Sequence, residues 1–99
     1  MLQDFRDVNP NTLRLPTSRR DGADPYKLQR QIARFGASSA GMPPPWVYEA
    51  SDGVLVLYNG VTRATRIAKL DPGTLIRVEV IGKLRRAYFN DPKIGDFLP

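Results

Sequence analysis

The sequence predicts a small α+β domain, and three features predict it. Two segments place apolar residues at helical spacing behind clear start signals, an Asp-Gly turn joins two strand-like runs, and a further alternating run follows the second helix. A length of 99 residues supports one hydrophobic core. Residues 12–99 are therefore assigned to a single domain. Residues 1–11, "MLQDFRDVNPN", sustain no period and end in the turn-prone Asn9-Pro10-Asn11, which reads as a lead-in arm or linker.

The elements follow in order. "TLRLP" alternates Leu13 and Leu15 around Arg14, a short strand stopped by Pro16, and the polar "TSRRDGADP" is a loop. Asp24 can accept from the free N–H groups of a first helical turn and Pro25 loses nothing there, so a helix is expected from Pro25 to Phe35, ending at Gly36. Leu28, Ile32 and Phe35 form its buried stripe, with Lys27, Arg30 and Arg34 on a basic face beside it. "GASSAGMPPP" reads as a connector rather than a lid. "WVYEA" and "VLVLY" flank Ser51-Asp52-Gly53 as a hairpin, with Trp46, Tyr48 and Ala50 on one face. The second strand is apolar throughout and is expected to be central. A helix over residues 61–70 ends at Asp71-Pro72-Gly73, and Ile76, Val78 and Val80 alternate in another strand. The tail carries a basic patch, Tyr88 and Phe89, and a short helix expected before Asp91-Pro92.

Composition narrows the chemistry. Apolar residues at 41% and charged residues at 25% describe a folded chain. Cysteine and histidine are both absent, which excludes disulfides, thiolate nucleophiles, His-based triads and the commonest zinc sites. No run approaches the ~20 apolar residues of a membrane span, and Asp4 and Asp7 lie where a signal peptide needs basic then apolar residues. The expectation is a cytoplasmic protein without a membrane partner. The net charge of +5 directs attention to anions, nucleotides or nucleic acid.

One junction concentrates that chemistry. The strand ending at Tyr58 passes through Asn59 and Gly60 directly into the second helix, where unpaired N–H groups and the helix dipole attract anions. Gly60 permits close backbone approach, Thr62 offers a hydroxyl and Arg63 a planar fork suited to phosphate oxygens. The same junction also fits a structural role in which Asn59 caps, Gly60 turns and Arg63 is solvated. On a helical wheel Val61, Ala64, Ile67 and Ala68 cover one side and Thr62, Thr65, Arg66 and Lys69 the other. Arg63 falls between them, so it is preferred as a ligand, and Arg66 and Lys69 are read as the solvated pair.

The segments "LRLP", "DPYKLQRQI", "PPPWVYEASDGVLVLYNGVTR" and "LIRVEVI" together resemble the ParB/sulfiredoxin superfamily from about Thr12 to Phe89. The resemblance implies a mixed sheet with two main helices on it. It also implies a Gly-x-x-Arg phosphate loop, here Gly60-Val61-Thr62-Arg63, and a nucleotide-contacting lysine, here Lys27. The cofactor it implies is a nucleoside triphosphate, ATP or CTP, with Mg2+. Sulfiredoxins have Cys and His where this chain has Val61 and Thr62, so sulfinic acid reduction is excluded. Partitioning proteins have Gly-Glu-Arg-Arg, and Val61 replaces the carboxylate.

Three functions follow as expectations. The first is nucleotide or phosphate binding by Gly60, Thr62, Arg63 and Lys27, bordered by Arg19 and Arg20. The second is a DNA-binding or ParB-like nuclease module, of the kind found in bacterial toxin-like proteins, facing nucleic acid with Lys27, Arg30, Arg34, Arg66, Lys69, Arg85 and Arg86. The third is a catalytically silent domain with a protein partner. No catalytic residue is assigned. The carboxylates Asp21, Asp24, Glu49, Asp52 and Glu79 are scattered along the sequence, and no metal site is assigned.

Overall fold

Alternation in the strands and the 3.6-residue period in the helices bring one continuous apolar layer together, and the sheet and helices are built around it. The structure, a computed structural model, describes residues 3–99. Six main elements follow in the order β1 (Asp4–Val8), α1 (Pro25–Phe35), β2 (Trp46–Glu49), β3 (Leu55–Asn59), α2 (Val61–Leu70) and β4 (Ile76–Lys83). Short 3-10 turns occupy Pro10–Thr12, Thr17–Arg19 and Ile94–Phe97. The four strands form a mixed sheet in the order β1-β4-β2-β3, antiparallel at both outer pairs and parallel between β4 and β2. The protein is thus a small α+β domain.

One face of the sheet, through Val47, Leu57, Ile76 and Val78, meets Val61, Ala64, Ile67 and Ala68 of α2, and Leu13, Leu15 and Ile94 close the layer. Helix α1 packs on α2. Its start is the expected one: the Asp24 carboxylate accepts from the N–H groups of Tyr26 and Lys27, with Pro25 at the first helical position. Those same bonds, Lys27 first, hold the Asp24 carboxyl below its ordinary range. The hairpin also forms where Asp52-Gly53 placed it, with Val47 opposite Leu57 and Tyr48 opposite Val56.

Five expectations change. Asp4–Val8, read as part of a lead-in arm, is an edge strand paired in register with β4 from Asp4↔Val80 to Val8↔Ile76. Only Val8 of this strand packs against the core. Arg6 instead pairs with Asp4 and Glu49, and Asp7 with Arg77, so no apolar period marks the strand. The β3 strand is not central but lies at the opposite edge of the sheet. Its apolar run is explained by Arg14, which is a bridge rather than a strand. The Arg14 N–H donates to the Leu55 carbonyl, and the Arg14 carbonyl accepts from the Leu57 N–H, covering the outer edge of β3. Phe35 does not complete the α1 stripe; it is 48% exposed, while Leu28 is buried. The tail helix falls after Asp91-Pro92, at Ile94–Phe97, not before it.

The irregular stretch between β4 and that turn is held by side chains reaching from the hairpin and the bridge. Asp52 accepts from the N–H groups of Tyr88 and Phe89 as well as Val54. Arg14 donates to the carbonyls of Tyr88 and Phe89. Partial loss of solvation raises the Asp52 carboxyl, and the three backbone N–H groups outweigh it, leaving the group below its ordinary value.

Candidate functional site

The site begins with a missing side chain. Gly60 is the N-cap of α2, with φ 102°, and no side chain caps that end of the helix. Asn59, the cap in the structural alternative for this junction, instead accepts from Arg63 Nη2 at 3.4 Å. The first-turn N–H groups of α2 are therefore left without a side-chain acceptor. A Cβ added at Gly60 would lie 2.7 Å from Pro45 Cβ, 2.9 Å from Arg63 Nη2 and 3.0 Å from Pro45 Cα. The bare backbone is what lets Pro45 and the Arg63 guanidinium close over the turn.

This end of α2 forms one wall of a cleft of about 330 Å3, lined by Pro16, Ser18, Arg19, Lys27, Gln31, Tyr58 and the segment Asn59, Gly60, Val61, Thr62, Arg63. Five residues singled out in the sequence thus share one cleft: Gly60, Thr62, Arg63, Lys27 and Arg19. Arg20 does not line it. The packing of α1 against α2 is what carries Lys27 across to the helix end. A second cleft of about 310 Å3 adjoins the first through Lys27, Gln31 and Thr62 and adds Arg30, Arg34 and Phe35. Among the described residues no carboxylate lines either cleft. Arg19 reaches Asp24 at 4.0 Å, while Lys27, Arg30, Arg34 and Arg63 make no ion pair among the described residues.

Burial leaves a mark on the arginines of α2. Burial pushes the Arg63 guanidinium below its ordinary value, and its Nε is buried without a hydrogen-bond partner. An anion in the cleft would relieve that penalty, since a guanidinium keeps its charge and gains most from a charged acceptor.

Arg66 is a correction. Read as solvated and as a nucleic-acid contact, it is 2% exposed. Its Nη1 donates to the carbonyls of Gly36 at 2.8 Å and Ser38 at 2.7 Å, and its Nη2 reaches Met42 Sδ at 3.5 Å. The Phe35 ring lies 5.3 Å away. Arg66 is a tether from α2 to the connector after α1. The wheel misplaced it because α1 and that connector cover what would otherwise be the wet side of α2. Thr65 is buried for the same reason and donates to the Val61 carbonyl.

The other basic residues disperse. Lys69 is half-buried and donates to the Pro99 carbonyl. Arg86 pairs with Asp91 and lies 3.6 Å from the centre of the Tyr88 ring, and Arg85 is exposed and lines neither cleft. Of the basic surface expected to face nucleic acid, only Lys27, Arg30 and Arg34 come together. Among the described residues no group of three or more acidic side chains gathers that could hold a metal ion. Glu49 is engaged with Arg6, Asp24 with α1 and Asp52 with the tail.

Three polar lining residues were missed in the sequence. Tyr58 had a signal, since it immediately precedes Asn59-Gly60 at the strand end. Gln31 lies one helical turn after Lys27, on the same face of α1. Ser18 has no signal in the sequence. No protein-family model, curated protein or solved structure matches this chain.

Proposed function

We propose that the protein binds the phosphate groups of a nucleotide at the amino end of α2. One observation carries this reading: the uncapped helix end shares its cleft with Lys27, Arg63 and Arg19 and with no carboxylate. Backbone N–H groups supply donors, the dipole favours negative charge, and three cations border the space. The likeness of Gly60-Val61-Thr62-Arg63 to the Gly-x-x-Arg loop of the ParB/sulfiredoxin superfamily supports it independently. In this reading Gly60 admits the phosphate, Thr62 and Arg63 hold it, and Lys27 adds charge from α1. Mg2+ would arrive with the triphosphate rather than on a carboxylate cage.

The test is calorimetric titration and thermal shift with ATP, CTP and GTP, with and without Mg2+. Saturating ligand raises the midpoint, and Arg63→Ala weakens binding about 10-fold, the value of one charge-assisted contact. No shift with any nucleotide overturns the reading.

A second reading has its own observation, the adjoining cleft in which Arg30 and Arg34 continue the line of positive charge from Lys27. A nucleic-acid strand would follow it, and its affinity would fall steeply with salt. Binding to oligonucleotide that is indifferent to salt counts against this second reading alone.

A further inference from the structure

The anion cleft opens beside a group of aromatic rings that the phosphate reading leaves unused. Tyr58 lines the cleft and is 56% exposed; Trp46, on the neighbouring strand, is 46% exposed. The two rings stack, with centroids 6.4 Å apart and planes 14° from parallel. Tyr48 meets Tyr58 edge-on at 5.7 Å, with the planes at 80°. All three side chains stand on the paired strands β2 and β3, so the rings are held on a rigid base at the face of the sheet that α2 does not cover.

We propose that Tyr58, extended by Trp46, is a stacking platform for the nucleobase of the ligand whose phosphate sits at the amino end of α2. The inference rests on the phosphate reading and deepens it. Continuity is the argument: Tyr58 is followed by Asn59 and Gly60, so the residue that presents the ring is two positions from the helix cap. A nucleotide joins an anionic end to a flat apolar ring, and here cations and an uncapped helix end border an exposed flat ring. Every base has a π-face, so the platform selects a nucleobase without selecting its identity. Free nucleotides and single-stranded nucleic acid share this chemistry, and the experiment separates them.

The test titrates the intact protein with tripolyphosphate, ATP, CTP and a short oligothymidylate, read by calorimetry and by the fluorescence of Trp46, the one tryptophan in the chain. Tripolyphosphate supplies the anion without the base. The expected result is that ATP binds about 10-fold more tightly than tripolyphosphate, a typical value for one stacked base, and quenches Trp46. Tyr58→Ala removes that preference by weakening ATP about 10-fold more than it weakens tripolyphosphate, whereas Tyr58→Phe keeps it. Arg63→Ala weakens every ligand. Tighter binding of oligothymidylate than of ATP assigns the platform to a strand, and the reverse to a free nucleotide. Equal affinity for ATP and tripolyphosphate without quenching overturns the platform and leaves the phosphate site standing. Tyr58→Ala weakening both ligands equally does the same. Binding of neither overturns both.

Discussion

Replacing Gly60 by alanine tests how the cleft is built. Two costs arise. The backbone at φ 102° is one that an L residue rarely adopts, worth about 1–3 kcal/mol. The new Cβ would also sit 2.7 Å from Pro45 Cβ and 3.0 Å from Pro45 Cα. A proline ring and its backbone cannot swing aside, so that contact adds about 1–3 kcal/mol of overpacking. Gly53→Ala separates the two costs, because Gly53 has φ 83° and nothing within 4 Å of an added Cβ. We expect both variants to lose stability, with Gly60→Ala the worse by about 1–3 kcal/mol, or roughly 5–20 °C in Tm at this chain length. Urea unfolding followed by circular dichroism measures the difference. Phosphate affinity should fall in Gly60→Ala alone, because the Arg63 guanidinium, 2.9 Å from the added atom, must leave its place. Equal unfolding midpoints, or unchanged phosphate affinity in Gly60→Ala, would refute the close approach of Pro45 and Arg63 as the reason for glycine.

Other outcomes follow from the same contacts. Arg66→Met keeps much of the buried volume but removes the donors to Gly36 and Ser38; we expect a loss of about 1–3 kcal/mol in urea unfolding and faster proteolysis between residues 36 and 42. Asp52→Ala should speed hydrogen exchange at the amides of Tyr88 and Phe89 while leaving those of α2 protected, as read by NMR. The carboxyls of Asp91, Asp4 and Glu49 are held below their ordinary values first by side-chain bonds from Arg86 and Arg6. A folded pKa below the unfolded one contributes stability that is complete above the unfolded value near ~4 and is lost as pH falls through the folded value. Urea midpoints should therefore be flat from about pH 8 to pH 5 and fall below about pH 4, with no side-chain step between because histidine is absent. A midpoint that rises on acidification contradicts these assignments.

What the sequence disclosed depended on whether a signal was local. Asp24-Pro25 and Asp52-Gly53 each satisfy backbone donors within their own turn, so the start of α1 and the hairpin were legible. The first strand was not, because its stabilising partners, Glu49 and Arg77, lie far along the chain and are charged. The position of β3 was misjudged for a related reason: an apolar run says that a strand is covered, not whether a strand or a single bridging residue covers it. Of the residues that line the cleft, Gly60 and Arg63 were singled out at the strand-helix junction, and Lys27 stood on the basic face expected for α1. That Lys27 and Arg63 share a cleft depends on how α1 packs on α2, and no local pattern encodes it. Arg66 failed because the wheel knows which side of a helix is polar but not what lies upon it.

The pairing of β1 with β4 has a consequence for how the chain is made. Asp4 finds its partner in Val80, and the Ile94 N–H finds the Leu13 carbonyl. During synthesis the first segment must wait until nearly the whole domain has emerged before its hydrogen bonds can form, whereas the hairpin of β2 and β3 can close at once. An unpaired strand edge is a template for pairing with another chain, yet the waiting strand intersperses Asp4, Arg6 and Asp7 with Phe5 and Val8. Such interleaved charge resists pairing with another nascent chain, so the composition that hid this strand from sequence patterns also protects it while it waits.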